Sequence, residues 1–452
     1  MTLPLFGYQA QAADIMASRD RYGLHDEMGI GKTATTIGAI NRIYAERGIV
    51  IAPAMLRENW INEFRKFSTY PLRLCKGQNI HDFIAWSRGR FDVLVTSYEL
   101  ATKWYADYAK SGDFPDFVAL DEAHYVKNHS AARSRMLLGH EADGRNCWIE
   151  NADHAWHITG TPMANDPMDS YTFLRFARAI DLAPREFERM FFDSTYSAYG
   201  TRTTVKPEMA KTLQSLLANN SIRRTHREVG MELPEIWMQE VLVDGDTREI
   251  TDMVRQYPGL EQSIIKAIEA GGLSFLDAQH IATLRRLVGK AKAIPYAQML
   301  RFEMEAGAGK RVVFGLHVEP LYYIHNYMRK YGFDSVIVNG DTNEAERIEA
   351  VRRFMQDPNC KVFVGNIKVA GTGLTLTESC ELDMFESDWS PAGNAQAIKR
   401  VHRYGQTKAV RARFITLAKS IDESVNRIVA AKTASIAQAG GGELTAAPLL
   451  TA

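Results

Sequence analysis

Asp26-Glu27-Met28-Gly29-Ile30-Gly31-Lys32-Thr33, running straight into Ala34-Thr35-Thr36-Ile37, is the stretch whose reading decides the fold. Two glycines, a lysine and a threonine stand where a buried strand turns into a helix. Gly29 and Gly31 reach backbone angles that a side chain forbids, so successive N–H groups can point inward at an anion. Lys32 adds a point charge for β- and γ-phosphates, the Thr33 hydroxyl can ligate Mg²⁺, and the helix N-terminus adds partial positive charge. The pattern G-x-x-x-x-G-K-[ST] nevertheless fails at its first position, where Asp26 replaces glycine, and a Gly-Lys-Thr also occurs by chance in loops. The flanking segments have to decide whether this is a nucleotide cradle.

On the N-terminal side, Leu5-Phe-Gly-Tyr-Gln9 leads into a helical pattern. The Gln9 amide offers the donor and acceptor an adenine edge requires, although a surface glutamine would look the same. On the C-terminal side, Gly48-Ile-Val-Ile-Ala-Pro53 reads as a buried strand with a proline stop, and Met55 to Phe67 as a helix with Leu56, Trp60, Phe64 and Phe67 on one face. Phe91 to Val95 is a further strand, ending at Thr96 and Ser97, whose hydroxyls fall at the edge where open α/β sheets bind ligands. Phe117-Val-Ala-Leu then delivers Asp121 and Glu122 to that edge. Nucleotide hydrolysis needs both carboxylates, one to hold Mg²⁺ and one to polarise the attacking water. The strand at Trp156 runs into Thr159-Gly160-Thr161-Pro162, and His124 is placed to couple the carboxylates to it. Strand, turn and helix recur throughout, which is the alternation of a parallel doubly wound sheet.

Composition sets the frame. A chain of 452 residues exceeds one ordinary core and fits two domains of about 150–200 residues each. Hydrophobic residues at 46% and charged ones at 24% are globular values. No apolar run reaches the roughly 18 residues that span a bilayer, and the N-terminus lacks a leader pattern, so no membrane partner and a cytoplasmic location are expected. Cys75, Cys147, Cys360 and Cys380 are scattered without a C-x-x-C pair, which indicates neither a zinc site nor a disulfide frame. Lys plus Arg equals Asp plus Glu at 54 each, so nucleic acid would have to be held by local patches.

Residues 235 to 310 say less: Thr247–Ala270 and Leu273–Gly289 read as helices joined by Gly271-Gly272, and Arg285, Arg286, Lys290 and Lys292 form a basic stripe that suits phosphate contact or a solvated face equally. Four strands then begin at Arg311, Ser335, Lys361 and Glu381, without a second cradle. Ala370 to Thr377 joins turn glycines to hydroxyls suited to a phosphate backbone. Ala395 to His402 reads as a helix, and the stretch Gln396 to Gln406 places Arg400 and Arg403 three apart on it, hence on one face.

Together, Asp26 to Thr33, Ala52-Pro53 with Asn59-Trp60, Thr96 to Glu99, Asp121-Glu-Ala-His124 with Lys127-Asn128, Thr159-Gly-Thr-Pro162, Ser221 to Pro234, Gly371 to Leu374 and the paired arginines resemble the ordered motifs of superfamily-two helicases. More narrowly they are similar to the Swi/Snf-like DNA translocases, above all to the annealing-helicase and fork-remodelling subgroup. The resemblance implies an α/β fold of two tandem RecA-like lobes with helical insertions. Their spans would be 1–232 with a helical protrusion at 169–220, a linker and insertion at 233–308, a second lobe at 309–436, and a loose tail at 437–452. It implies a DNA-dependent ATPase using ATP and Mg²⁺ on duplex or branched DNA, monomeric, of a pared-down size that suits a phage or other mobile element. Catalysis would fall to Lys32, Asp121 and Glu122, with Arg400 and Arg403 as fingers, so that each half-site alone is incomplete. Nucleotide would meet Gln9, Met28, Gly29, Ile30, Gly31, Lys32, Thr33, Ala34 and Gly373, and metal would meet Thr33 and Asp121. DNA would meet Asn59, Thr96, Ser97, Lys127, Asn339, Gly371 and Thr372. His124, Thr159, Thr161 and Gln396 would couple the two events. An RNA-dependent helicase and a non-catalytic motor-like scaffold are the rival expectations.

Overall fold

The computed structural model describes residues 2–112, 114–139, 147–160, 168–197, 200–270, 278–370, 374–389 and 391–439. It divides into unit 1, Met1–Thr195 with Arg202–Val229, and unit 2, Tyr196–Thr201 with Gly230–Ala452.

Unit 1 is built on β1 (Arg21–Leu24), β2 (Gly48–Ala52), β3 (Leu74–Lys76), β4 (Val93–Ser97), β5 (Phe117–Asp121) and β6 (His154–Ile158), with a ribbon of β7 (Phe192–Ser197) and β8 (Gly200–Val205) and a short β9 (Ser221–Ile222). The sheet runs β3-β4-β2-β5-β6-β1-β9, and its pairings are parallel. Strands covered on both faces must be apolar throughout. Every residue of β1, β2, β4 and β5 is accordingly buried. One face packs Trp86, Trp104, Trp148 and Phe173, the other Trp60, Phe64, Ile37 and Trp156. Each such side chain contributes roughly 1.5–3 kcal/mol by leaving water. Because β6 lies between β5 and β1, this order gathers the glycine loop after β1, the carboxylates at the end of β5 and Thr159 after β6 on one carboxyl edge.

Unit 2 holds β10 (Ile236–Val243), β11 (Arg311–Gly315), β12 (Asp334–Val338), β13 (Cys360–Asn366), β14 (Glu381–Met384) and β15 (Val410–Leu417), ordered β10-β15-β14-β11-β13-β12 and again paired parallel. The molecule is thus an α/β protein with two parallel sheets, as in tandem RecA-like lobes.

Two expectations about helices need correction. The stretch from Thr247 to Ala270 is not one helix but two, Arg248–Gln256 and Leu260–Ala270, because Pro258 and Gly259, at φ +88°, end the first. The next helix runs from Ala278 past Gly289 to Glu305. Among the described residues no helix is long and apolar enough to cross a membrane, and no group of three or more His, Cys, Asp or Glu could hold a metal alone.

Candidate nucleotide site

The glycine loop follows β1. Gly31, at φ +91°, caps the helix Lys32–Arg42, whose first N–H groups face the loop. A Cβ on Gly31 would lie 2.4 Å from Gln9 Nε2, so position 31 needs glycine on both conformational and steric grounds. Gln9 is buried; its Oε1 accepts from the Phe6 N–H (3.0 Å) and its Nε2 donates to the Ile30 carbonyl (3.1 Å). Tyr8 donates its hydroxyl to the same carbonyl at 2.9 Å. Lys32 Nζ donates to the carbonyls of Asp26 (2.9 Å) and Glu27 (3.0 Å). Met28, Gly29 and Thr33 are half-buried, while Ile30 and Ala34 are buried. Gly160, after β6, packs on this loop: a Cβ there would meet Met28 Cγ at 2.9 Å and Lys32 Nζ at 3.5 Å.

The carboxylates end β5. Asp121 Oδ2 accepts from Trp60 Nε1 at 2.8 Å, its Oδ1 accepts from the Glu122 N–H at 2.9 Å, and its carbonyl accepts from the Tyr98 hydroxyl at 2.8 Å. Burial raises the Asp121 carboxyl and the Glu122 charge raises it further, outweighing the Trp60 indole and the Lys32 ammonium. Glu122 sits at φ 51°, ψ 49°, a left-handed conformation uncommon for a residue with a Cβ. Strain of this kind costs about 1–3 kcal/mol and persists where the surroundings impose it. Glu122 Oε2 lies 3.3 Å from His124 Nδ1, which lies 3.4 Å from Thr159 Oγ1, so His124 stands between the carboxylate and the turn after β6. Beneath them His25 Nε2 and His157 Nδ1 share a 3.1 Å hydrogen bond. Burial first, then neighbouring imidazoles and cations, holds both rings well below the ordinary histidine range and keeps them neutral.

The expected DNA contacts divide. Asn59 is exposed on the helix Arg57–Phe67. Lys127 is held by Asp169 at 3.1 Å. Thr96 and Ser97, expected against a phosphate backbone, lie inside unit 1 at 0% and 3% exposure, and Ser97 Oγ accepts the Leu100 N–H as a helix cap. The helix Tyr98–Ser111 follows them directly, with Ser97 as its N-cap. In unit 2, Asn339 is buried at the end of β12, and its Oδ1 accepts the Asp341 N–H at 2.9 Å. Thr161, Gly371, Thr372 and Gly373 lie outside the described residues.

Arg400 and Arg403 do not share a helix face. The helix Pro391–Ile398, which carries a half-buried Gln396, stops before them. The Arg400 carbonyl is taken by the Leu376 N–H (2.9 Å) and that of Val401 by Gln406 Nε2 (3.3 Å), which diverts the groups a helix would need. Arg403 Nη1 donates to the Leu374 carbonyl at 3.3 Å, so this arginine is tied to the glycine-rich loop of its own unit.

Trp60, Arg224 and His226 stand inside stretches that carry the resemblance, and Tyr8 stands beside Gln9, but the sequence does not show which partners they meet. Arg224 pairs with the Asp26 carboxylate, and His226 Nδ1 lies 2.7 Å from Glu27 Oε2. Apolar periodicity carried no signal for these polar partners. A cavity of about 750 Å³ elsewhere in unit 1, lined by His129, Tyr171, Arg175 and Arg178, has no part in this chemistry. Arg175 there pairs with Asp181 at 2.9 Å and Arg178 with Glu150 at 2.7 Å.

A glycine loop on a helix N-terminus, with its lysine beside paired carboxylates on one sheet edge, defines a class: an enzyme that binds and hydrolyses ATP. The model of the SNF2-related domain matches residues 8–250 and that of the helicase conserved C-terminal domain residues 292–405. The chain belongs to the SNF2-related family, the ATP-binding, DNA-binding translocases of the helicase class. It is 27% identical over 413 residues to the human DNA annealing helicase and endonuclease ZRANB3, covering 88% of this chain and 36% of that protein. It is 26% identical over 439 residues to a probable chromatin-remodeling complex ATPase chain of Oryza sativa subsp. japonica, covering 89% and 37%. The chain thus spans little more than a third of these relatives. Among solved structures it is similar to the Sulfolobus solfataricus SWI2/SNF2 ATPase core in complex with dsDNA, at 19% identity and a TM-score of 0.45, covering 95% of this chain and 91% of that one.

Proposed function

We propose that the protein is an ATP-driven motor that moves along duplex DNA and remodels branched DNA at forks or junctions. The observation that carries the hydrolysis in this reading is Glu122, held in a strained left-handed conformation beside a buried, raised Asp121 at the edge that also holds Lys32, and the DNA track is supported by membership of the SNF2-related family. In this reading Lys32 leaves the carbonyls of Asp26 and Glu27 for the β- and γ-phosphates of ATP. Glu122 orients and takes a proton from the attacking water, and His124 and Thr159 report the change to the next turn. Gln9 positions the adenine while bracing the loop. Arg400 and Arg403 supply guanidinium charge to the transferring phosphoryl group.

Thr33 and Asp121 would hold Mg²⁺. The fit is chemical: burial first and the Glu122 charge second raise the Asp121 carboxyl, and Mg²⁺ is ordinarily held by one or two carboxylates, phosphates and water rather than by a cage of side chains. Bound there, the ion neutralises charge developing on the phosphates. DNA would be gripped through backbone phosphates, with Asn59 and Lys127 as contacts, so affinity should fall steeply with salt.

The test is ATP hydrolysis and strand displacement measured on linear duplex, forked and four-way DNA, with single-stranded DNA and RNA as further arms. Stimulation greatest on branched duplexes is expected. Stimulation by RNA alone, or turnover indifferent to every nucleic acid, would sink the motor reading.

A further inference from the structure

Asp26 stands where the phosphate-loop pattern has its first glycine, and its carboxylate is fully buried. A buried charge must be matched, and the match comes from the last stretch of unit 1 before Gly230. The β1–β9 ladder continues past its strand ends: the His25 N–H donates to the Ile222 carbonyl (2.8 Å) and the Glu27 N–H to that of Arg224 (3.0 Å). Asp26 Oδ1 accepts from the Arg224 N–H at 2.9 Å and from its Nε at 3.0 Å, and Arg224 Nη2 reaches Oδ2. Arg224 Nη1 donates to the Tyr8 carbonyl, and the guanidinium lies 5.2 Å from the centre of the Tyr8 ring. One residue beyond Thr225, the His226 N–H (2.9 Å) and Nδ1 (2.7 Å) both meet Glu27 Oε2.

The clasped residues are the two whose carbonyls receive Lys32 Nζ. We infer that Arg224 and His226 are positioning residues for the phosphate loop: they hold Asp26 and Glu27 by their side chains and thereby set where the Lys32 ammonium rests. A fork of two nitrogens on one carboxylate fixes direction as well as distance, which a lysine could not do. The loop thus replaces the freedom of its missing glycine with an ion pair reaching across the unit. The inference rests on the ATP-site reading.

A merely structural ion pair would lower stability alone, whereas a positioning pair also moves the ATP dependence. The test measures KM for ATP, kcat and Tm in Arg224→Lys, in the double variant Asp26→Asn/Arg224→Gln that leaves no orphaned charge, in His226→Ala, and in His226→Asn, whose amide can stand in for Nδ1. Expected is a rise in KM of about 10-fold in the first three with kcat changed less, and near-parental KM in His226→Asn, because weakened ground-state binding appears in KM. Asp383→Asn, in unit 2, serves as the destabilised control with unmoved KM. Parental KM in His226→Ala and in every Arg224 variant that folds would overturn the inference. Lys32→Ala separates the two ideas: if it turns over ATP like the parent, the ATP-site reading itself fails. If it is inactive while the clasp variants keep parental KM, only the clasp fails.

Discussion

Two buried aspartates, one from each sheet, are held in opposite ways. At the carboxyl edge of the first sheet, Asp121 is raised by burial and by Glu122, with one indole, one backbone N–H and a lysine's field against that. In the second, on the neighbouring strands β11, β14 and β15, Asp383 is also buried, yet Arg413 meets it with Nε and Nη2, both at 2.7 Å, Arg311 at 3.2 Å and the Tyr296 hydroxyl at 2.7 Å. Glu303 and Glu381 close the cluster, at 2.6 Å from Arg413 Nη1 and 3.0 Å from Arg311 Nη1. There burial pushes Asp383 up, but Arg311 and Arg413 outweigh it and hold the carboxyl below its ordinary range. At Asp383 the protein completes the charge and the residue is scaffold; at Asp121 burial and Glu122 prevail, and a ligand's charge would complete it.

The comparison breaks most visibly in turnover. Glu122→Gln should lower ATP turnover by about 10²–10⁴, the usual contribution of a general base, while leaving thermal unfolding close to the parent. Phosphate release and melting curves on the same preparation check both halves. A variant of near-parental rate would remove Glu122 from the chemistry.

In the second sheet the same kind of substitution should act on stability instead. Asp383→Asn breaks a satisfied cluster, and removing one partner of a buried pair costs about 3–5 kcal/mol, read from urea unfolding, with kcat per folded molecule unchanged. The pH dependence has a definite sign. A carboxyl whose folded pKa is depressed contributes its full stability above its unfolded value of about 3.9, and that stability is lost as pH falls through the folded value. The parent should therefore lose stability steeply on acidification through that window, and Asp383→Asn should lose this part of the slope. An identical acid profile in the two would show that the cluster is not what holds the sheet.

The same contrast explains what could be read in advance. The glycine loop and Asp121-Glu122 are contiguous, because the phosphate chemistry requires fixed residue types next to one another, and strands buried on both faces announce themselves as apolar runs. The strand β15 did not, because Arg411 and Arg413 interrupt its pattern. Arg413 is buried only through Asp383 and Glu303, which lie 30 and 110 residues away. Arg224 answers Asp26 across 198 residues, a pairing no local pattern carries. The break in the helix after Ile398 was equally hidden, since the hydrogen bonds that occupy the next carbonyls, those of Arg400 and Val401, come from Leu376 and Gln406.

Asp121→Asn sharpens the contrast at smaller scale. Neutralising a carboxyl held above its ordinary range removes a penalty, so the variant should be more stable at neutral pH by on the order of 1 kcal/mol while losing turnover, the reverse of Asp383→Asn. Paired urea titrations of the two variants decide this, and destabilisation of both would mean that Asp121 is already compensated by the protein.

The smallest effect concerns a hydroxyl that sits at the functional edge yet belongs to the scaffold. Ser97 comes after the last apolar residues of β4, where a ligand contact is expected, but its Oγ accepts the Leu100 N–H at 3.3 Å and its side chain is buried. Ser97→Ala should cost about 1 kcal/mol, the value of an N-cap, seen as a modest fall in Tm. The DNA concentration giving half-maximal ATPase stimulation should not move, whereas Lys127→Ala should raise it. If Ser97→Ala weakens DNA response without lowering Tm, the hydroxyl reaches the backbone after all, and its bond to the Leu100 N–H must break when DNA binds.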